Sequence, residues 1–299
     1  MQSKKPLIRK LGTIDCDMVE TTPIVFHGRL HRFEYVRANY KPNKTGDSYF
    51  RFMDVESGKP TPAFAAGYHL GSAYVEDDVV YVYGVDTWGA ENIQVFQSKD
   101  LENWSSQPAL TLPGWGIYNT SVCKGAEHYI MAFEIGEPPE EAGVRFTTRF
   151  AESIDLLNWK LTPSECVYSR EKYTACPALR FLDGFYYMLY LEARSGPTYE
   201  THIVRSQDLV HWESSSFNPV LQFSEEDKKI GNRNLTVEQR ERIAKAINRN
   251  NSDVDLFEFK GQVIIYYSWG DQQGAEFLAQ AVYDGTMENF LCGFFPKRC

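Results

Sequence analysis

The seven residues SIDLLNW, from Ser153 to Trp159, occur in the chain in three closely related copies. The other two are SKDLENW, from Ser98 to Trp104, and SQDLVHW, from Ser206 to Trp212. The aspartates of the three copies are 55 and 53 residues apart, and weaker copies around Asp54 and Asp284 fit the same order. A motif that recurs about every 50 residues indicates a repeat architecture. The chain is therefore predicted to contain five structural units.

Each unit has the same succession of strand signals. An apolar run is followed by a short turn and a second run rich in aromatic residues, as in PALRFLDGFYYMLYLE at 177–192. A third run, such as ETHIVRS at 200–206, ends at the heptad, and the Trp of the heptad begins a short fourth run. Turn residues between such runs are typical of β-hairpins. Four antiparallel strands per unit, repeated five times, predict an all-β fold, a five-bladed β-propeller.

The heptad itself has a structural interpretation. Its Ser and Asp side chains are expected to close a turn by bonding to backbone groups, while its Leu and Trp pack between neighbouring blades. Every blade is predicted to supply its own four strands, without exchange of strands between the termini. The whole chain, 1–299, is then one domain, and residues 1–19 form an N-terminal extension.

One segment departs from the β pattern. Thr236 begins a T-x-x-Q capping pattern, and apolar residues from Ile243 to Ile247 then recur at helical spacing. These signals predict a helical insert, residues 223–250, between blades four and five.

Composition limits the classes of function. A net charge of −9 argues against nucleic acid and anionic membranes as partners. Aromatic residues make up 14% of the chain and could stack on sugar rings. The six cysteines lack metal-like spacing and are interpreted as reduced, structural thiols. Because neither a membrane-spanning run nor the apolar core of a signal peptide is visible, we expect a cytoplasmic protein, or a periplasmic or secreted one if a signal peptide was removed.

The S-x-D-L-x-x-W turn and the hairpin DGFYYMLY, from Asp183 to Tyr190, together resemble the five-bladed glycoside hydrolases of families 43, 32/68 and 117. The resemblance implies that substrate binds at one end of the central channel, where the innermost strands begin. Family 43 would have an Asp before Pro in blade one, an Asp in blade three and a Glu two residues before Pro in blade four. The corresponding residues here are Thr22, Asn119 and Ala175, so that catalytic set is not carried over.

Glycoside hydrolysis ordinarily uses two carboxyl groups, and strand geometry nominates others at the same end of the propeller. Asp17 and Glu20 precede the first inner strand, Glu134 and Glu192 end second strands, and Asp253 introduces the fifth inner strand. Asp253 ranks first because it lies in NNSDVD, where the insert re-enters the channel. Glu192, Glu134, Glu20 and Asp17 follow in that order. The most buried of them is predicted to have a raised pKa and to act as the acid.

Uncharged and basic side chains are expected to complete a sugar site. Arg37 and Arg149 would hold a carboxylate or sulfate on the substrate. His69 stands at the entry to blade two, where it would bind sugar hydroxyls, act as an acid as in the family 117 relatives, or serve only as a hydrogen-bonded structural residue. Trp115, Tyr118 and Asn119 would form a stacking and hydrogen-bonding wall, and Trp269 lies near an analogous strand end.

These patterns predict a glycoside hydrolase that releases an exo-linked sugar from a plant or algal oligosaccharide by carboxylate acid/base catalysis. One alternative is a phosphorylase or lyase on the same scaffold, with Arg37 and Arg149 as an anion pocket. Another is a non-catalytic carbohydrate-binding propeller, which the missing family carboxylates favour. No cofactor is expected. Some five-bladed relatives bind a central calcium ion, but the sequence contains no EF-hand or comparable loop.

Overall fold

The computed structural model describes residues 5–37, 48–196 and 198–295. Within these ranges the chain forms five antiparallel sheets, four with four strands and one with three. The first strand is β1 (Arg9–Cys16), and blade one contains β2 (Thr21–Phe26), β3 (Arg29–Val36) and β4 (Tyr49–Asp54). Blade two contains β5 (His69–Glu76), β6 (Val79–Val85), β7 (Asn92–Ser98) and β8 (Ser105–Thr111), and blade three contains β9 (Gly116–Lys124), β10 (Tyr129–Glu137), β11 (Thr147–Ser153) and β12 (Lys160–Leu161). Blade four contains β13 (Ala175–Leu182), β14 (Phe185–Arg194), β15 (Thr198–Ser206) and β16 (Trp212–Ser214), and blade five contains β17 (Ser252–Phe259), β18 (Gln262–Gly270) and β19 (Glu276–Asp284). The helices are α1 (Pro139–Ala142), α2 (Val237–Lys245) and α3 (Met287–Gly293).

The five sheets are the blades of a propeller around a central channel. The innermost strands β2, β5, β9, β13 and β17 each contact the innermost strands of the two neighbouring blades, and β17 contacts β2 to close the ring. The predicted five-bladed β-propeller is thus confirmed. Because all five inner strands run in the same direction along the channel, their first residues meet at one mouth.

Blade five is completed by the N-terminal strand, contrary to prediction. β1 pairs antiparallel with β19, from Arg9 opposite Val282 to Cys16 opposite Phe277, so the strand order of this sheet is β1-β19-β18-β17. The expectation that residues 1–19 form an extension was wrong for this segment. In the described part of the chain β19 is followed by helix α3, so without β1 it would present an unpaired edge.

The heptad turns have the predicted structural role. In the middle copy, Ser153 Oγ accepts hydrogen bonds from the backbone N–H groups of Asp155 (3.2 Å) and Leu156 (3.0 Å), and Asp155 Oδ1 accepts from the two amides that follow Leu156. The turn places Leu156 at φ 65°. Trp159 packs across the blade boundary against Tyr83 of blade two, with ring centroids 5.7 Å apart. These residues therefore hold the turn and the contact between blades.

The predicted helix of the insert is present and shorter than its apolar spacing suggested. Thr236 Oγ1 accepts from the Gln239 N–H (3.2 Å), and Gln239 Oε1 accepts from the Thr236 N–H (2.9 Å), which is the predicted capping box. α2 buries Ile243 fully but ends at Lys245, so Ile247 lies beyond the helix and is 57% exposed. None of the helices in the described ranges has the length and apolar character needed to cross a bilayer.

A buried ion pair ties β1 to this insert. Lys10 Nζ lies 2.7 Å from Asp227 Oδ1, and the Asp227 side chain is completely buried. Tyr267 donates its hydroxyl to the same carboxylate at 2.8 Å. Lys10 Nζ also donates to Asn251 Oδ1 at 2.7 Å, two residues before Asp253. The network thereby anchors the segment from which β17 enters the channel.

Candidate active site

Three inner strands begin with the same backbone irregularity. β5, β13 and β17 each pair with the second strand of their own blade. Just after its first paired residue, each of the three contains one extra residue, which is a β-bulge. Inside the three bulges Leu70, Cys176 and Asp253 adopt left-handed backbone conformations, with φ of 53°, 51° and 50°. Non-glycine residues adopt this conformation at an energetic cost, and bulges of this kind redirect side chains. Cys176 and Asp253 line the pocket at the channel mouth, whereas Leu70 is buried in the core.

A shallow, open pocket occupies this mouth. All five blades contribute to it, and six of its lining residues are Glu20, Thr22, Ser72, Asn119, Cys176 and Asp253. Short polar side chains dominate the lining, and none of the described residues that line it is aromatic. The pocket therefore offers hydrogen-bond partners for hydroxyl groups but no flat surface for stacking.

Glu20 lines the pocket and is buried, with 9% of its surface exposed. Its Oε2 lies 3.7 Å from Arg37 Nη2. Burial raises the pKa of Glu20 to about 7; the Arg37 charge opposes this rise and the Asp253 charge adds to it. The Arg37 guanidinium also packs over the rings of Tyr35 and Trp88. Glu20 can therefore hold or release a proton near neutral pH.

Glu134 lies directly behind the pocket wall. Its Oε2 accepts hydrogen bonds from Asn119 Nδ2 (3.0 Å) and from the Cys176 N–H (2.9 Å), both of which belong to lining residues. Burial raises the pKa of Glu134 to about 7, these two hydrogen bonds oppose the rise, and the charges of Asp253 and Glu20 add to it. Because Oε2 is occupied twice, a proton on this group would sit on Oε1.

Asp253 stands at the centre of the group. It lines the pocket, is half-buried, and accepts a hydrogen bond from Ser268 Oγ to Oδ2 at 3.0 Å. Its charge raises the pKa of both Glu20 and Glu134. Three of the five predicted carboxylates, Asp253, Glu134 and Glu20, are thus brought together from blades five, three and one.

A fourth carboxyl group was missed by the sequence argument. Glu276 is buried, and its oxygens accept from the Gln272 N–H (2.7 Å) and from Asn250 Nδ2 (3.2 Å). Burial raises the pKa of Glu276 to about 8, and Asp253 contributes to the rise. Glu276 is the first residue of the third strand of blade five. Third strands begin at the same end at which second strands finish, so a search of third-strand starts would have found it.

Cys176 was also missed, because its neighbours resemble a strand interior. It is a free cysteine at the bulge of β13 and lines the pocket. Burial, followed by the charges of Asp253 and Glu134, raises the pKa of its thiol well above the usual value. The group is therefore held as a neutral thiol, and it lies in the site and not in a strand interior as predicted.

The two remaining predicted carboxylates lie elsewhere. Asp17 follows β1 and forms a two-pronged ion pair with Arg242 of α2, at 2.8 and 2.6 Å. Glu192 shares a face of β14 with Tyr190, whose hydroxyl donates to Glu192 Oε2 at 2.7 Å, and Tyr190 belongs to the cluster packed against blade three. Neither lines the pocket, because strand alternation and the insert direct them away.

Two predicted substrate-binding residues are buried structural groups. His69 is 2% exposed, and its Nδ1 lies 2.6 Å from the Tyr35 hydroxyl. Burial lowers the pKa of His69, which favours the neutral ring. Trp269 is completely buried and donates its Nε1–H to Thr13 Oγ1 at 2.8 Å. The structural interpretation of His69 therefore fits better than a catalytic one, and Trp269 does not reach the pocket.

The remaining predicted contacts divide between pocket and core. Asn119 lines the pocket, as expected. Arg149 is buried, donates to the Ser164 carbonyl at 3.0 Å and packs 6.0 Å from the Trp115 ring. The Tyr118 hydroxyl accepts from Arg145 at 3.2 Å. Arg149, Trp115 and Tyr118 thus do not line the pocket. Arg149 and Trp115 pack against each other in blade three, and the Tyr118 ring lies between Trp88 of blade two and Phe146 of blade three.

Metal binding has no visible site in the described ranges. No three His, Cys, Asp or Glu side chains among residues 5–37, 48–196 and 198–295 are arranged to hold a metal ion. The calcium ion considered from the sequence remains a prediction.

No protein-family model matches this chain, and neither does any curated protein. Solved structures match its fold over nearly the whole length. The BT0996 RGII complex is 14% identical, with a TM-score of 0.66 over 94% of this chain and 93% of that one. The α-L-arabinofuranosidase PaAbf62A from Podospora anserina in complex with cellotriose is 10% identical, with a TM-score of 0.61 over 94% and 95%. The α-L-arabinofuranosidase Arb93A from Fusarium graminearum in complex with an iminosugar inhibitor is 12% identical, with a TM-score of 0.61 over 94% and 98%. At these identities the likeness shows the fold alone, and it agrees with the five-bladed β-propeller of the described residues.

Proposed function

We propose that the chain is a glycoside hydrolase that removes an exo-linked sugar from a plant or algal oligosaccharide. The observation that carries the proposal is the meeting of Asp253, Glu20 and Glu134 at one mouth of the channel. Glycoside hydrolysis needs two carboxyl groups of unlike character, one that holds a proton and one that does not. Glycosidases among the structures of similar fold support the same class of activity.

Glu20 is the proposed general acid. It lines the pocket, and burial raises its pKa to about 7, so a large fraction carries a proton at neutral pH. Its proton would pass to the glycosidic oxygen as the bond between that oxygen and the anomeric carbon breaks. Arg37, 3.7 Å away, would then stabilise the carboxylate that remains.

Asp253 is the proposed partner of Glu20. It is the more exposed of the two and receives a hydrogen bond from Ser268, so it is better suited to carry negative charge. It would attack the anomeric carbon or take a proton from the attacking water. Glu134 is proposed as a positioning residue, because its two hydrogen bonds hold Asn119 and Cys176 in the pocket wall.

The lining of the pocket supports the binding of a sugar. Short polar side chains line it and can bond to hydroxyl groups. The phosphorylase alternative has less support among the described residues. Arg149 lies in the core of blade three, and Arg37 faces Glu20 and not an anion site.

The test is a panel of aryl glycosides of pentoses and hexoses in both anomeric forms, followed by plant and algal oligosaccharides. On a substrate that the wild type cleaves, Asp253→Asn and Glu20→Gln are expected to lower kcat by about 10²- to 10⁴-fold. Asp17→Asn and Glu192→Gln are matched controls, because these carboxylates lie outside the pocket, and both should keep wild-type turnover.

Leaving-group dependence separates the two roles. Glu20→Gln should retain most activity on a dinitrophenyl glycoside, whose leaving group needs no proton, and lose it on an oligosaccharide. Asp253→Asn should lose both. Wild-type turnover by both pocket variants, or failure of the wild type to cleave any member of the panel, would contradict the proposed function.

A further inference from the structure

We propose that Ser252 and Ser268 form, together with Gln272, a hydrogen-bond relay that positions Asp253 and holds it as a carboxylate. The relay gives Asp253 the role of base or nucleophile and leaves the transferable proton to Glu20. Its catalytic meaning rests on the proposed function. The relay itself rests on contacts within blade five.

The contacts form an unbroken chain. Ser268 Oγ donates to Asp253 Oδ2 at 3.0 Å. Ser252 Oγ and Ser268 Oγ are 2.8 Å apart, and the two residues are directly opposed in the pairing of β17 with β18. Gln272 Nε2 donates to Ser252 Oγ at 3.3 Å. Both serines are almost completely buried, with exposures of 1% and 0%, so water does not satisfy them.

The direction of the chain follows from the donors available. A carboxylate can only accept, and a serine hydroxyl has one hydrogen to donate. If the Ser268 hydrogen points to Asp253, the bond between the serines must be donated by Ser252. Ser252 then accepts from the Gln272 amide, which completes the chain. All donors therefore point towards Asp253, which is the arrangement that stabilises its charged form.

Two other blades provide internal comparisons. Leu70 and Cys176 occupy the same left-handed bulge position as Asp253. The strand-paired residues that correspond to Ser252 and Ser268 are His69 opposite Val85 in blade two and Ala175 opposite Leu191 in blade four. The bulge therefore forms without a pair of hydroxyl groups. Among the described blades that have this bulge, the pair accompanies the one that carries a carboxylate.

The surroundings of Asp253 explain why such donors matter. The titratable groups whose charge interacts with it come from blades one, three, four and five, and they are Glu20, Glu134, Tyr173, Cys176 and Glu276. Three of them are carboxyl groups, which compete with Asp253 for a proton. Burial and then the charge of Asp253 raise the pKa of the Cys176 thiol, so that neighbour stays neutral. The hydroxyl donors of the relay stabilise negative charge on Asp253.

The kinetic test is the pH dependence of kcat/KM on a cleaved aryl glycoside. Removing a hydrogen bond to a carboxylate favours its protonated form. In Ser268→Ala, the low-pH side of the kcat/KM profile (the acid limb) should therefore move to higher pH by about one unit, which lowers kcat/KM on that limb about tenfold. Ser268→Thr keeps the hydroxyl and should restore the limb. Ser252→Ala should have a smaller effect in the same direction.

Ser215→Ala is the matched control, because the buried Ser215 hydroxyl donates to the Phe294 carbonyl outside the pocket. It should leave the limb unchanged. Thermal unfolding of every variant would detect misfolding. If the wild type cleaves the substrate and Ser268→Ala keeps the wild-type limb, the relay is refuted while the proposed function stands.

A second readout does not need activity. Carbon-13 NMR of labelled aspartate carboxyl groups, with the Asp253 signal assigned by its loss in Asp253→Asn, gives the titration midpoint of this group directly. The midpoint is expected at higher pH in Ser268→Ala than in the wild type. Equal midpoints would refute the relay. A shifted midpoint in a protein that cleaves no glycoside would support the relay and count against the proposed function alone.

Discussion

The buried ion pair between Lys10 and Asp227 offers a direct test of how blade five is held together. Asp227→Asn keeps the shape of the side chain and removes its charge. Lys10, whose side chain is only 8% exposed, would retain Asn251 Oδ1 as a side-chain acceptor but lose its counter-ion. In the wild type the Ser224 N–H donates to the Asp227 carboxylate at 2.8 Å. In the variant the N–H hydrogens of the new amide would face this N–H, so two donors would be opposed.

The expected cost follows from the burial of both partners. Removing one member of a buried ion pair typically lowers the free energy of unfolding by about 3–5 kcal/mol, because the remaining charge stays buried and unpaired. Glu241→Gln is the matched control. It breaks the pair between Lys245 and Glu241, which are 3.3 Å apart with side chains 79% and 63% exposed, and should cost less than about 1 kcal/mol.

The assay is urea unfolding followed by tryptophan fluorescence, at pH 7 and at pH 10. Burial lowers the pKa of Lys10 and Asp227 raises it, so the amine of Asp227→Asn loses its proton more readily. The difference in stability from wild type should therefore shrink at pH 10. The double variant Lys10→Met/Asp227→Asn should be more stable than Asp227→Asn. A cost equal to that of the control, or no gain in the double variant, would refute the reasoning.

Three further predictions concern the pocket and the blades. The kcat/KM of the wild type should fall above pH 7, because Glu20 must be protonated to act as the acid, and Glu20→Gln should lack this limb; a pH profile from 5 to 9 decides. The pKa of Glu134 is raised from 4.5 to about 7, so its contribution to stability is fully present below pH 4.5 and is lost as pH rises through 7. The Tm of Glu134→Gln minus the Tm of the wild type should therefore increase from pH 5 to pH 8. A difference that stays constant over this range would contradict the raised pKa of Glu134. Asp155→Ala should lower the free energy of unfolding by about 1 kcal/mol, as for the loss of a helix cap, with kcat unchanged; lower turnover with unchanged Tm would argue against a purely structural heptad.

The blades could be predicted because their signals are local. A heptad that closes a turn with Ser153 and Asp155 depends on bonds within a few residues, and so does a hairpin turn. The pairing of Arg9 with Val282 has no such signal, since the two residues meet only when the ring is formed. A short polar strand at one terminus therefore resembled an extension.

The candidate site also contains residues that the sequence could predict and residues that it could not. Asp253 and Glu20 flank the starts of inner strands, and these starts meet at the channel mouth in any propeller. Glu192 was expected there because it ends a second strand, but the alternation of β14 turns it to the face of Tyr190. The direction of a side chain at a strand end depends on register, and a bulge shifts register by one residue. Such shifts cannot be read from the spacing of residues alone.

The closure of blade five by β1 also has a consequence for how the molecule is made. A ribosome would complete β1 long before β19, so the strand that completes blade five is synthesised before the rest of that blade and pairs last. Contacts between such distant parts of a chain are slow to form. Until they form, β1 and the outer edge of β19 both expose unpaired backbone groups that can join another chain. The nascent protein is thus most prone to self-association at the moment when only this seam is missing.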